Sequence, residues 1–170
     1  MNYQKIYKNT ISDGTGIGVS LYVSGCSIRC KGCQNSAAWD FASGIPYTAA
    51  TEAEILEALA KPYVNHLSIL GGEPMDQDQE ALVSLVEKVK QLYPEKDIWC
   101  WTGYEFEDIR NCPLTKYLDI IVCGCYIEEQ RDISGENLYR GSRNQRIIDV
   151  QASLNSDKII PLAGIPNNEI

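Results

Sequence analysis

The chain is 170 residues long, 44% hydrophobic and 22% charged, the balance of a soluble globular protein with enough chain for one core and too little for two. Its 15 basic and 23 acidic side chains leave a net charge of −8, which argues against nucleic-acid binding, since displacing phosphate counterions takes clustered Lys and Arg. No apolar run is long enough for a membrane span, no secretory signal opens the chain, and an odd count of seven cysteines favours reduced thiols in the cytoplasm over a disulfide framework.

In chain order, the Gly-rich turn Asp13 to Gly18 introduces a first strand, Val19 to Ser24. A phosphate loop would join strand to helix, and this turn precedes a strand, so a nucleotide-loop reading is weak. A cysteine-rich loop follows. Thr51-Glu52-Ala53-Glu54 has capping-box spacing and predicts a helix to about Ala60, which Pro62 helps to end. His66 to Leu70 is a short strand that stops at Gly71-Gly72. Leu82, Leu85, Val86, Val89 and Leu92 then fall at helical period, predicting a helix over Gln79 to Leu92. Ile98 to Trp101 and Leu118 to Cys123 read as strands, with a short helix at Glu105 to Arg110 between them. Ile147 to Val150 and Lys158 to Ile160 are weaker strand candidates.

Strands alternating with helices predict an α/β fold with a mainly parallel sheet. A complete eightfold barrel takes roughly 250 residues, so the expectation is a partial, open (β/α) barrel of about five or six strands, in one domain spanning residues 1–170. Such sheets keep their active face at the C-terminal strand ends. Cys26, the Gly71-Gly72-Glu73-Pro74 turn and Thr102-Gly103-Tyr104 all fall there.

Cys26, Cys30 and Cys33 have the spacing C-x3-C-x2-C. Four thiolates saturate a [4Fe–4S] cube in an electron carrier. Three leave one iron without a protein ligand, and an open metal position is how a site binds substrate. The plain alternative is a structural zinc site, which wants a fourth ligand; His66, the sole histidine, opens a strand and is a poor candidate. Cys100, Cys112, Cys123 and Cys125 read as free, mostly buried thiols, although the last two form a C-x-C pair.

The cysteine spacing after a first strand, together with Gly-Gly-Glu-Pro after the second, resembles the radical S-adenosylmethionine superfamily. That resemblance implies that Cys26, Cys30 and Cys33 ligate a single [4Fe–4S] cluster. It further implies that S-adenosylmethionine chelates the open iron and is cleaved reductively to methionine and a 5′-deoxyadenosyl radical. Gly71, Gly72 and Glu73 would take the cofactor's methionyl end, with Gly32, Cys33, Gln34 and Thr102 as further cofactor contacts. Beyond the cluster and cofactor ligands it implies no separate catalytic residue.

A narrower resemblance covers nearly the whole chain. "LYVSGC", "GGEP", "DIWCWTGYEFE" and "LYRGSRNQRIID" are similar to the activases of anaerobic ribonucleotide reductase. Gln34 stands where that family usually carries Tyr, and Glu73 where Asp is frequent. Cys123-Gly124-Cys125 replaces a frequent Asp-Gly. The resemblance implies that the substrate is a large protein, the reductase, on which a glycyl radical is placed, with flavodoxin or a similar donor supplying electrons. Residues Arg140 to Arg146 are expected to engage the partner or close the site. Two alternatives stay open: an activase of another glycyl-radical enzyme, of the formate-lyase type, and a non-catalytic metal-binding module.

Overall fold

The computed structural model describes residues 1–131 and 138–165; residues 132–137 and 166–170 of the expected domain lie outside them. In chain order the elements are β1 (Asn2–Thr10), β2 (Gly18–Val23), β3 (Ile45–Pro46), α1 (Ala49–Leu59), β4 (His66–Gly71), α2 (Gln79–Leu92), β5 (Asp97–Trp101), α3 (Phe106–Ile109), β6 (Ile120–Cys123), β7 (Arg146–Asp149) and α4 (Val150–Leu154). Single 3-10 turns fall between several of them.

Among the described residues the strands form one seven-stranded sheet in the order β3-β1-β2-β4-β5-β6-β7. Only the central run β2-β4-β5-β6 is parallel. β1 is antiparallel to both β2 and β3, and β7 is antiparallel to β6. The expected five or six mainly parallel strands are therefore corrected to seven, with an antiparallel margin on each side. The sheet is open, with β3 and β7 at its edges. The Lys158 to Ile160 strand is replaced by an isolated bridge between Ile148 and Pro161.

Alternation along the strands sorts side chains onto two faces. Val19, Leu21, Val23, Leu67, Ile69, Ile98, Ile121 and Ile148 belong to the main core with Ile55, Leu59, Leu82, Leu85, Val86 and Val89 of α1 and α2. The residues between them form the other face. There Ser20 pairs with Ser68, Ser68 with Trp99 and Trp99 with Ile120 across the sheet. Trp99, Ile120, Val122 and Ile147 make a separate apolar cluster on the β5–β7 side, packed against Trp101, Tyr139, Leu162 and Ile165.

α2 is capped by Asp78, whose carboxylate accepts from the Glu80 and Ala81 N–H groups. α1 is capped three residues earlier than its sequence predicts. Thr48 is the N-cap, and Thr51 supplies the reciprocal side chain of the capping box. No helix among the described residues is long and apolar enough to cross a membrane.

Candidate functional site

The cysteine loop leaves β2 at Val23 and is held by backbone bonds from both sides. The Gly25 N–H donates to Ala38 O at 2.7 Å and the Cys26 N–H to Trp39 O at 3.1 Å. Gly25 sits at φ +98°, where a side chain would also strike the Phe41 ring. Gly32 lies at φ +73° and turns the chain between Cys30 and Cys33. All three thiols are partly exposed and line one cavity of about 480 Å³ at the C-terminal strand ends. Burial pushes the Cys26 thiol up, and the Arg29 and Ile28 N–H groups pull it back.

The Gly71-Gly72 turn is stitched directly to that loop. Gly72 N–H donates to Val23 O and Glu73 N–H to Gly25 O, each at 2.8 Å, and Gln77 Nε2 reaches the same Gly25 oxygen at 3.0 Å. A Cβ on Gly72 would press on the Gly25 carbonyl, so this position needs glycine for close backbone approach. Glu73 is 2% exposed. Its Oε1 accepts from Thr102 Oγ1 at 2.7 Å and Met75 N at 3.0 Å, and its Oε2 accepts from Gly103 N at 2.8 Å. Burial raises its carboxyl to about 7, against the pull of these three donors. One carboxylate thus ties the end of β4 to the end of β5. Asp76 makes a second tie, accepting from Ser27 N and from Tyr104 Oη, both at 2.8 Å.

Cys26, Cys30, Cys33, Gln34, Gly71, Gly72, Glu73 and Thr102 all line the cavity. Gly32 does not; it stands behind the loop against the Glu128 carboxylate. His66, the zinc alternative's only histidine, is buried, with Nδ1 3.1 Å from Thr15 O. Among the described residues no three Cys, His, Asp or Glu side chains converge to hold one metal ion. A cube, which offers a separate iron to each thiolate, does not ask for that convergence. The donor set, the left-handed glycines of the loop and the cavity volume fit a three-cysteine cluster with a small cofactor, since ligand pockets run from about 300 to 1,000 Å³.

Sequence reasoning missed Asp13, Tyr22, Trp101 and Tyr139 in the wall of this cavity. The buried Asp13 carboxylate accepts from Ser20 Oγ at 2.8 Å, Ser12 Oγ at 2.8 Å, Tyr22 Oη at 3.0 Å and Thr10 Oγ1 at 3.2 Å. Ser20 and Tyr22 alternate with apolar Val19, Leu21 and Val23, and that polar stripe on a buried strand was the available signal. The Arg140 to Arg146 segment is a brace. Gln145 Oε1 accepts from Gly141 N and Ser142 N, its Nε2 donates to Gly124 O, and Asn144 Nδ2 donates to Cys125 O. Arg140 and Gln145 line the cavity, Arg146 pairs with Glu105 and Glu107, and Arg143 is exposed.

All seven cysteines are free thiols. Cys100 and Cys123 are buried as expected, Cys112 is partly buried, and Cys125 is exposed. Cys125 thus departs from the expectation of mostly buried thiols. On the turn after β6, Cys125 Sγ donates to Gly103 O at 3.2 Å.

Over residues 12–148 the chain matches the family described as "4Fe-4S single cluster domain". It is 41% identical over 148 residues to the anaerobic ribonucleoside-triphosphate reductase-activating protein of Enterobacteria phage T4, covering 86% of this chain and 93% of that one. Identity is 40% over 153 residues to the protein of the same name from Vibrio cholerae, covering 86% and 97%, and 33% over 150 residues to that of Escherichia coli K12, covering 85% and 96%. With its three-cysteine loop and a relative this similar over most of both lengths, the chain belongs to the family of anaerobic ribonucleoside-triphosphate reductase-activating proteins.

Proposed function

We propose that this chain is a radical S-adenosylmethionine enzyme that generates a glycyl radical on anaerobic ribonucleoside-triphosphate reductase. The carrying observation is the convergence of Cys26, Cys30 and Cys33 with Gly71, Gly72 and Glu73 on one cavity, in a chain whose relatives bear the activase name. When bound, a reduced [4Fe–4S] cluster supplies the electron that cleaves S-adenosylmethionine to methionine and a 5′-deoxyadenosyl radical.

The chain's own residues bind and orient. Cys26, Cys30 and Cys33 supply three thiolates and leave the fourth position for the cofactor. Gly71 and Gly72 present a bare backbone edge beside them. Glu73, held at both oxygens by Thr102, Met75 and Gly103, sets a fixed carboxylate where the methionyl ammonium is read. Gln34 and Thr102 contact the cofactor further along the wall, and Gly32 lets the loop turn. Trp101 and Tyr139 make part of that wall apolar and exclude water.

The sheet is the open, partial barrel of the radical S-adenosylmethionine type, in one domain, and its open mouth admits a glycine-bearing segment of the reductase. A flavodoxin-type protein donates the electron, nucleic acid is not a partner, and free thiols suit a reducing cytoplasm. Anaerobic reconstitution with iron and sulfide, followed by incubation with S-adenosylmethionine, reductant and the reductase, tests the proposal. A glycyl-radical doublet in electron paramagnetic resonance with release of 5′-deoxyadenosine supports it. Tight zinc without cluster uptake, or a radical formed only on a formate-lyase-type enzyme, refutes it.

A further inference from the structure

The register of β1 against β2 shifts between Tyr3 and Lys5, so that Lys5 faces Tyr22 across the pair and Tyr7 faces Ser20. Partners across a sheet share a face, and this shift extends the face of Ser20 and Tyr22 onto β1. There Lys5, Tyr7 and Asn9 line a second cavity, of about 540 Å³. It is continuous with the first, because Ser12, Asp13, Tyr22, Gln34 and Asn35 line both. Lys5 Nζ stands 4.7 Å from the centre of the Tyr7 ring and 5.0 Å from that of Tyr22. The two rings meet edge to face at 5.6 Å, and the Tyr22 hydroxyl donates to Asp13 at 3.0 Å, so both rings that steady the ammonium are themselves held. Lys8 on the same wall pairs with Glu54 at 2.9 Å, whereas Lys5 has no carboxylate partner among the described residues. The side-chain amides of Asn9 and Asn35 likewise have no hydrogen-bond partner among them.

We propose that this side cavity seats an extended segment of the protein substrate, beside the glycine that receives the radical, and that Lys5 reads one carboxylate side chain on it. Continuity with the first cavity sets the place, since a chain whose glycine lies there has the side cavity as its next stretch. Charge sets the chemistry. One unpaired ammonium, in a chain of net charge −8, matches one carboxylate and turns away a segment that carries Lys or Arg at that point. A nucleoside triphosphate would ask for several cations or a helix N-terminus, and this wall is built from β1, β2 and the turns beside them. The Asn9 and Asn35 amides each offer donor and acceptor, which suits the N–H and C=O groups of an extended backbone. Lys5 is then a specificity-determining residue that touches none of the reacting atoms. The inference rests on the first cavity being the site of glycyl-radical formation, as proposed above.

The test has a binding arm and a kinetic arm. The iron-free full chain is mixed with the reductase and a carbodiimide, which joins an ammonium to a carboxylate in contact with it. Mass spectrometry of the digest is expected to find Lys5 joined to an Asp or Glu of the reductase segment that holds the radical glycine. In the reconstituted system, Lys5→Ala is expected to raise the reductase concentration for half-maximal radical formation by about three- to fivefold, the upper range of an exposed ion pair. Lys5→Glu should raise it further and Lys5→Arg should stay close to the parent, each with the parent's rate at saturation. The parent's half-saturation should also climb with salt, and that of Lys5→Ala much less. Cross-links from Lys5 only to other parts of the reductase, or half-saturation unchanged by Lys5→Glu, overturn the proposal. Protection of Lys5 from acetylation by ATP and not by the reductase overturns it too, because the cavity is then a nucleotide site. A parent that releases 5′-deoxyadenosine and places no radical on the reductase refutes the proposed function, and this inference with it. A parent that places the radical, with Lys5→Glu equal to it, refutes this inference alone.

Discussion

The two faces of the sheet are built by neighbouring residues of the same strands and do different work. In β4, Leu67 and Ile69 point into the helix-covered core, while Ser68 between them donates its hydroxyl to the Asp13 carbonyl. In β2, Leu21 is core, and Ser20 and Tyr22 on either side both donate to the Asp13 carboxylate. The helix face is held by apolar burial, which is non-directional and tolerant of exchange among similar residues. The other face is held on its β2–β4 side by hydrogen bonds around Asp13, which also lines the cavity, and on its β5–β7 side by the Trp99 cluster. Stability and function are therefore separable here at a spacing of one residue.

The most severe break is at the cavity end. Cys33→Ala is expected to reduce 5′-deoxyadenosine release to background, with the thermal midpoint of the iron-free chain little changed; retention of the normal rate would remove Cys33 from the ligand set. Gly72→Val is expected to be nearly as damaging. Because Gly72 packs on the Gly25 carbonyl, the larger side chain displaces the cluster loop itself, so cluster content should fall along with cofactor binding. Cluster content equal to that of the parent would contradict this packing.

A paired substitution measures the contrast between the faces. Leu67→Ala leaves a hole in the main core and should cost about 2–5 kcal/mol, whereas Ser68→Ala removes one hydrogen bond and should cost about 1 kcal/mol. Urea unfolding of both variants checks the ratio, and equal costs would mean that the two faces are equally packed.

The buried carboxylate gives a smaller, pH-dependent signal. Glu73 is raised to about 7 in the folded chain from 4.5, so the native state binds its proton more tightly than the unfolded one. That contribution is fully present below about 4.5 and is lost as pH rises through about 7. Glu73→Gln should therefore flatten stability against pH between those values relative to the parent. Cofactor affinity of the parent should rise over the same window, because the ionised carboxylate is the form that takes an ammonium. A variant with the parent's pH profile would remove Glu73 as the titrating group. The smallest effect is expected at Arg146→Ala. Its pairs with Glu105 and Glu107, at 2.7 and 2.6 Å, lie beside half-exposed carboxylates and should contribute about 0–1 kcal/mol, less at high salt.

Much of the helix-covered layer was legible in the sequence. The period in Leu82, Leu85, Val86, Val89 and Leu92 gives α2 with the bounds it has, because an amphipathic stripe is a strong local signal. The parallel strands were legible as short apolar runs ending in Gly71, Thr102 and Gly124. β1 was not. Of its nine residues only Tyr3 and Thr10 are buried, so a strand that mostly faces water leaves little alternation to read. The α1 cap moved because Thr48 and Thr51 both satisfy the capping chemistry, and only packing chooses between them. In the site, the three cysteines and the Gly-Gly turn were visible as spacing. Asp13 was not: it stands in a Gly-rich turn, and only the fold brings it beside Ser20, Tyr22 and Ser68.

The antiparallel start of the sheet bears on the order in which the chain assembles. β1 and β2 pair across the short connector at residues 11–17, whereas β2 meets β4 only after residues 24–65 have looped back. A hairpin closes with little loop entropy, and the parallel crossover closes more slowly. During synthesis the cysteine loop is thus presented on a formed hairpin before Gly72 and Glu73 exist to cover it. In pulsed hydrogen exchange during refolding, amides of β1 and β2 should gain protection before those of β4 and β5. The cysteine loop then spends its first moments at the open end of a two-stranded ribbon, exposed to solvent before the rest of the cavity closes round it.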